Sequence, residues 1–170
     1  MIRVREGDAR GGGPANLGQK ARSYALRLLA MGDRTVKELE SKLRRKGFPE
    51  DIVGEVLAEM MSSGYLDDEK LAARFAENSA ESWGIGPYRI RAELSRRGVP
   101  GSVIEQALRR AFEGEREGEV ALALARTWLE RHGMSLGRDE GVARRRLYGF
   151  LARRGFSSEV IERALREVLG

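Results

Sequence analysis

Apolar positions along this chain fall at helical rather than alternating spacing, and one polar–apolar pattern comes round three times. In each copy a Leu stands four residues before a Gly, basic residues directly precede the Gly, and an apolar residue follows it. The copies are Leu43-Arg44-Arg45-Lys46-Gly47-Phe48, Leu94-Ser95-Arg96-Arg97-Gly98-Val99 and Leu151-Ala152-Arg153-Arg154-Gly155-Phe156. Leu39, Ile90 and Leu147 stand earlier at matching places, and Ile52-Val53, Val103-Ile104 and Val160-Ile161 follow at one common offset. Recurrence at about fifty residues marks an internal repeat, which decides architecture before any other reading.

The repeated unit has a physical explanation. A Gly just past a helix takes the left-handed conformation at C′, and the apolar residue at C″ then packs back on C3. Leu43, Leu94 and Leu151 occupy C3, Gly47, Gly98 and Gly155 occupy C′, and Phe48, Val99 and Phe156 occupy C″. Basic residues before the Gly suit the negative end of the helix. Pro49 and Pro100 then read as the first turn of the next helix, with Ser157 in the same place in the third copy. Upstream, Thr35 to Glu38 reads as a capping box and Gly86-Pro87 as N-cap plus N1.

A third helix precedes each pair. Its apolar face is carried by Tyr24, Ala25, Leu28 and Leu29, then by Leu71, Ala72, Phe75 and Ala76, and finally by Ala121, Leu124, Ala125 and Trp128. The second of these helices opens after Gly64 with Asp67 and Asp68 as cap and acidic first turn. Nothing reads as a strand. The expected fold is all-α: three tandem three-helix repeats forming an elongated, curved stack, with residues 19–64, 65–113 and 114–170 as the repeats. Residues 1–18, which include Gly11-Gly12-Gly13-Pro14, read as a disordered basic tail.

Composition narrows the function classes. The chain has no Cys, so disulfides and thiolate metal sites are excluded, and a cytoplasmic location is the default. No apolar run reaches a membrane-spanning length, no signal-peptide core stands at the N-terminus, and no heptad seam argues against a monomer. The net charge of +5 permits contact with phosphates or an acidic partner. Its distribution says more, because Val142 to Arg154 holds Arg144, Arg145, Arg146, Arg153 and Arg154 with no acid among them.

Catalysis needs converging groups, and few are present. His132 is the single His, placed where a helix end explains it. Gly84-Ile85-Gly86 is too short for a dinucleotide fingerprint, and capping accounts for Asp67 and Asp68 without a metal. No catalytic residue, metal site or cofactor is expected.

The arginines carry the sharper hypothesis. With Leu94 at zero on a helical wheel, Arg96 falls near about 200° and Arg89 near about 220°, opposite the apolar stripe. Arg146 and Arg153 repeat that spacing, while the first copy supplies Arg45 with Glu38 in the other place. The candidate contact set is therefore Arg45, Arg89, Arg91, Arg96, Arg97, Arg144, Arg145, Arg146, Arg153 and Arg154. The same residues are also what an ordinary solvated helix exterior would show. Phe48 and Phe156 belong to the corners and Phe75 and Trp128 to apolar stripes, which leaves Trp83, Tyr88 and Tyr148 free to stack on bases.

Three segments resemble a known family: Tyr24-Ala25-Leu26-Arg27-Leu28-Leu29, Gly64 to Ala72 (GYLDDEKLA) and Gly86 to Leu94 (GPYRIRAEL), the last followed by Arg96-Arg97-Gly98-Val99. They are similar to the RecX family of bacterial regulatory proteins, from about Ala21 to the C-terminus. The resemblance implies a non-enzymatic regulator of the RecA recombinase, in recombinational DNA repair and the SOS response. It implies tandem three-helix repeats that bind in the groove of the RecA–DNA filament, restrain its ATPase and strand exchange, and can bind single- or double-stranded DNA. The family often has a basic residue where this chain has Trp83, so that charged contact is not carried over. Two other readings stand beside it: a DNA-binding module that contacts phosphates, and a protein-interaction scaffold for another partner.

Overall fold

The computed structural model of this chain describes residues 14–132 and 140–170. The described residues form helices α1 (Pro14–Ala30), α2 (Val36–Arg45), α3 (Glu50–Ser62), α4 (Asp68–Trp83), α5 (Pro87–Arg96), α6 (Gly101–Ala111), α7 (Arg116–His132), α8 (Glu140–Arg154) and α9 (Ser158–Leu169), and no strand. They make three sets of three. The chain divides into two compact units, residues 1–67 with the first set and residues 68–170 with the other two.

Helix-ending glycines set the corners. Gly47, Gly98 and Gly155 have φ of 91°, 81° and 89°, a region a side chain rarely tolerates. At each corner the C″ amide donates to the C3 carbonyl: Phe48 to Leu43 (3.4 Å), Val99 to Leu94 (3.1 Å) and Phe156 to Leu151 (3.4 Å). Each Gly amide also donates to the C2 carbonyl, on Arg44, Ser95 and Ala152, which completes the Schellman pattern.

Other ends are capped as chain chemistry dictates. Thr35 and Glu38 form the reciprocal capping box of α2, and Gly86 with Pro87 opens α5. Pro49 and Pro100 do not enter the first turn but occupy the N-cap, with extended ψ of 153° and 141°. Proline's fixed φ suits that place, and its missing N–H costs nothing there. In the third repeat Ser157 is the N-cap, and its hydroxyl accepts from the Val160 amide at 3.3 Å. Helix α1 starts at Pro14, so a boundary at residue 18 falls inside it. The rest of the expected tail, residues 1–13, lies outside the described residues.

Equivalent positions make equivalent cores. Leu39, Ile90 and Leu147, and Leu43, Leu94 and Leu151, are fully buried, as nearly are Val53, Ile104 and Ile161. Each repeat thus closes its own small core, on Ala21 and Met60 in the first, Ala72 and Leu108 in the second, and Ala125 and Leu165 in the third. A fully buried Leu or Ile contributes about 1.5–3 kcal/mol relative to exposure, so the three aligned positions per repeat are a large share of each core.

Candidate partner-binding surface

Within residues 68–170 the corner of the third repeat seats on the start of α5. The first amides of a helix have no partner inside it. Here the Gly86 amide donates to the Arg154 carbonyl at 2.8 Å and the Tyr88 amide to the Gly155 carbonyl at 3.0 Å. The negative end of α8 thus meets the positive end of α5, a favourable alignment of helix dipoles. The approach is close enough to exclude side chains: a Cβ on Gly86 would lie 2.4 Å from the Gly155 oxygen, and one on Gly155 would lie 2.5 Å from the Arg89 nitrogen. Beside it, the Arg154 guanidinium donates to the Trp83 carbonyl at the end of α4.

That seating sorts the arginines picked out from the sequence. Arg154 is half-buried and spent on the helix end. Arg91 makes a two-pronged pair with Glu105 at 2.9 and 3.0 Å, joining α5 to α6. The bond raises the Arg91 pKa and lowers that of Glu105. Arg96 pairs with Glu93 at 2.6 Å, and Arg144 pairs with Glu162. These four are therefore engaged within the fold rather than free stripe charges: carboxylates from neighbouring turns or helices reach Arg91, Arg96 and Arg144, and a backbone carbonyl holds Arg154. Arg97 is half-buried at the C-cap of α5.

A different subset stays open. Arg45, Arg145, Arg146 and Arg153 are exposed, with no carboxylate within ion-pair distance among the described residues. The Arg89 guanidinium donates to the Arg153 carbonyl at 3.4 Å, so the outward Arg89 of the second repeat reaches the end of α8 in the third. Arg146 and Arg153 are seven residues apart on α8 and share that helix's outer face. Glu38 is the capping-box carboxylate of α2, which explains why the first repeat lacks an Arg there.

The aromatic candidates also divide. Trp83 and Tyr88 are 54% and 58% exposed. Tyr148 is not free to stack: it is half-buried against the third core, with its hydroxyl 3.2 Å from Ser158 Oγ. His132 lies over the Trp128 ring, and its Nδ1 sits 2.8 Å from the Trp128 carbonyl. Among the described residues no group of three or more His, Asp or Glu could hold a metal ion, and no helix is long and apolar enough to cross a membrane.

Residues 1–67 hold a basic groove that sequence reasoning missed. It encloses about 720 Å³ and is lined by Gln19, Lys20, Tyr24, Arg27, Lys46 and Phe48. Arg27 and Lys46 lie 5.5 and 5.9 Å from the centroid of the Tyr24 ring. The signal existed, since Lys20, Tyr24 and Arg27 have the i, i+4, i+7 spacing of one helix face. Lys46 joins them from the C-cap of α2, which packing of α2 on α1 brings near.

Comparison with known proteins gives one consistent result. Family models for the first, second and third three-helix domains of RecX match residues 21–60, 67–108 and 119–165. The chain is 37% identical over 142 residues to the regulatory protein RecX of Mycolicibacterium vanbaalenii, covering 82% of this chain and 77% of that one. It is 36% identical over 152 residues to that of Amycolatopsis mediterranei, covering 89% and 84%. A crystal structure of a regulatory protein RecX superposes with a TM-score of 0.77 at 29% identity, over 88% of this chain and 73% of that chain. One from Lactobacillus salivarius superposes at 0.81 over 91% and 97%; at 23% identity it speaks for the fold alone.

Proposed function

This chain belongs to the RecX family of regulatory proteins, not to an enzyme family, and we propose that it regulates the RecA recombinase by binding in the groove of the RecA–DNA filament. The observation that carries this reading is the meeting of Arg89 with the Arg153 backbone. It sets Arg89 of the second repeat beside the end of α8, the helix on which Arg145, Arg146 and Arg153 are exposed and lack carboxylate partners among the described residues. A groove between filament subunits that presents acidic side chains complements such a surface. The protein needs no chemistry of its own to act there. A ligand biases an equilibrium only through differential affinity, so tighter binding to one filament state restrains assembly, ATP hydrolysis and strand exchange together. That role belongs to recombinational repair in the cytoplasm, and the protein acts as a monomer.

The basic groove around Tyr24 favours a second reading, direct contact with nucleic-acid phosphates by the first repeat. Lys20, Arg27 and Lys46 face it without a carboxylate partner among the described residues. Salt separates the two readings. On duplex DNA the logarithm of affinity falls by about 0.9 per phosphate neutralised for each tenfold rise in salt. A protein groove that also buries apolar area is less sensitive.

The test adds the purified protein to RecA on single-stranded DNA at moderate salt and follows ATP hydrolysis and filament mass. Both should fall as the protein approaches stoichiometry with RecA. No change in either at molar excess would refute the reading.

A further inference from the structure

Beside the arginine face, residues 68–170 carry a cleft of different chemistry. It encloses about 350 Å³, with Phe75, Ile85 and Ile90 beneath and Arg89, Glu93 and Arg96 along its edge. Trp83 lies outside that lining but stands edge-on to Phe75, with ring centroids 6.3 Å apart. Trp83 and Tyr88 are two of the few large apolar side chains left more than half exposed among the described residues. Trp, Tyr and Arg are the side chains that carry most binding energy in protein interfaces; here Arg89 and Arg96 line the depression, and Trp83 packs on its Phe75.

The charges at the edge are unequal. Arg96 is matched by Glu93 on its own helix. Arg89 has no carboxylate within ion-pair distance among the described residues, and its one long bond to a carbonyl engages few of its five donors. A hydrated phosphate gains nothing from Phe75, Ile85 and Trp83. An aliphatic or aromatic side chain does, and a carboxylate next to it reaches Arg89.

We propose that this cleft takes an apolar side chain of the protein partner, with an adjacent carboxylate paired to Arg89. The inference rests on the RecA reading and names the chemistry that the filament presents there. Trp83 is the anchor's neighbour and Arg89 the selector. The cleft makes this part of the surface a reader of protein rather than of DNA.

The experiment measures binding of full-length protein to RecA filaments formed on single-stranded DNA with a slowly hydrolysed ATP analogue. The same DNA without RecA is the second probe. Trp83→Ala and Arg89→Glu should each weaken filament binding by about tenfold or more, and Trp83→Phe should recover most of the loss. Ala92→Glu serves as the independent variant, because Ala92 is exposed, lines the cleft and makes no core contact that its replacement would remove. It should weaken filament binding similarly, while helicity and binding to bare DNA stay at wild-type level. Unchanged filament affinity in Trp83→Ala and Ala92→Glu would overturn the cleft assignment and leave the RecA reading standing. Equal losses on filament and bare DNA would also overturn it, since the cleft would then be a stacking site for bases. Failure of the wild-type protein to bind filaments would overturn both.

Discussion

Gly47 and Gly155 have nearly the same backbone, φ 91° and 89°, and different surroundings. A Cβ on Gly47 would meet nothing within 4 Å, whereas one on Gly155 would strike the backbone of Arg89. Gly47→Ala should therefore cost only the left-handed strain, about 1–2 kcal/mol. Gly155→Ala should cost at least about 2 kcal/mol more, because the backbone it strikes cannot move aside without breaking the α8–α5 seating. Gly86→Ala isolates the contact, since φ of −80° suits any residue and the cost comes from the Gly155 carbonyl and the Phe156 nitrogen that its Cβ would strike. Urea unfolding of the three variants checks this order; equal losses at Gly47 and Gly155 would mean that strain alone matters. No local pattern distinguishes these glycines. The helix-ending role was legible because its C3, C′ and C″ residues lie within six positions, but the partner that crowds Gly155 comes from the preceding repeat. The same distance hid the use of Arg154 on the end of α4.

At the scale of the helix, the repeat was legible wherever adjacent residues decide the geometry. Capping box, glycine corners and apolar stripes are such cases, and they define the three-helix sets. Proline's place was misjudged by one position, because Pro49 and Pro100 suit an N-cap as well as a first turn. Tyr148 was misjudged because a helical wheel does not show that α9 brings Ser158 against it. Leu94→Ala should cost about 2–5 kcal/mol, as for any fully buried Leu with no room to collapse. Acid should act on the helix pairs. The Arg91 guanidinium holds the Glu105 carboxyl below its ordinary value, so the folded state gives up that proton more readily than the unfolded one. The resulting stability is present above the ordinary Glu range and is lost as pH falls through the depressed folded value. Urea midpoints measured from about pH 6 down to about pH 3 should fall less for Glu105→Gln than for wild type. Parallel curves would show that the exposed pair adds nothing.

For the whole molecule, family and regulatory role follow from three matched domains in one chain, while the binding face is a matter of which arginines the fold leaves over. Sequence alone counted ten arginine candidates; carboxylates on Glu93, Glu105 and Glu162 and the Trp83 carbonyl remove four of them from the open set. Those partners are set by packing between helices or by rotamers within a turn, which a wheel does not resolve. Of the arginines without carboxylates among the described residues, Arg89, Arg146 and Arg153 form the testable core of the account. The decisive measurement titrates wild-type protein and the triple variant Arg89→Ala, Arg146→Ala, Arg153→Ala onto RecA filaments at moderate salt. The account predicts affinity at least about tenfold lower for the variant with helicity unchanged. Equal affinity for the two proteins would contradict it.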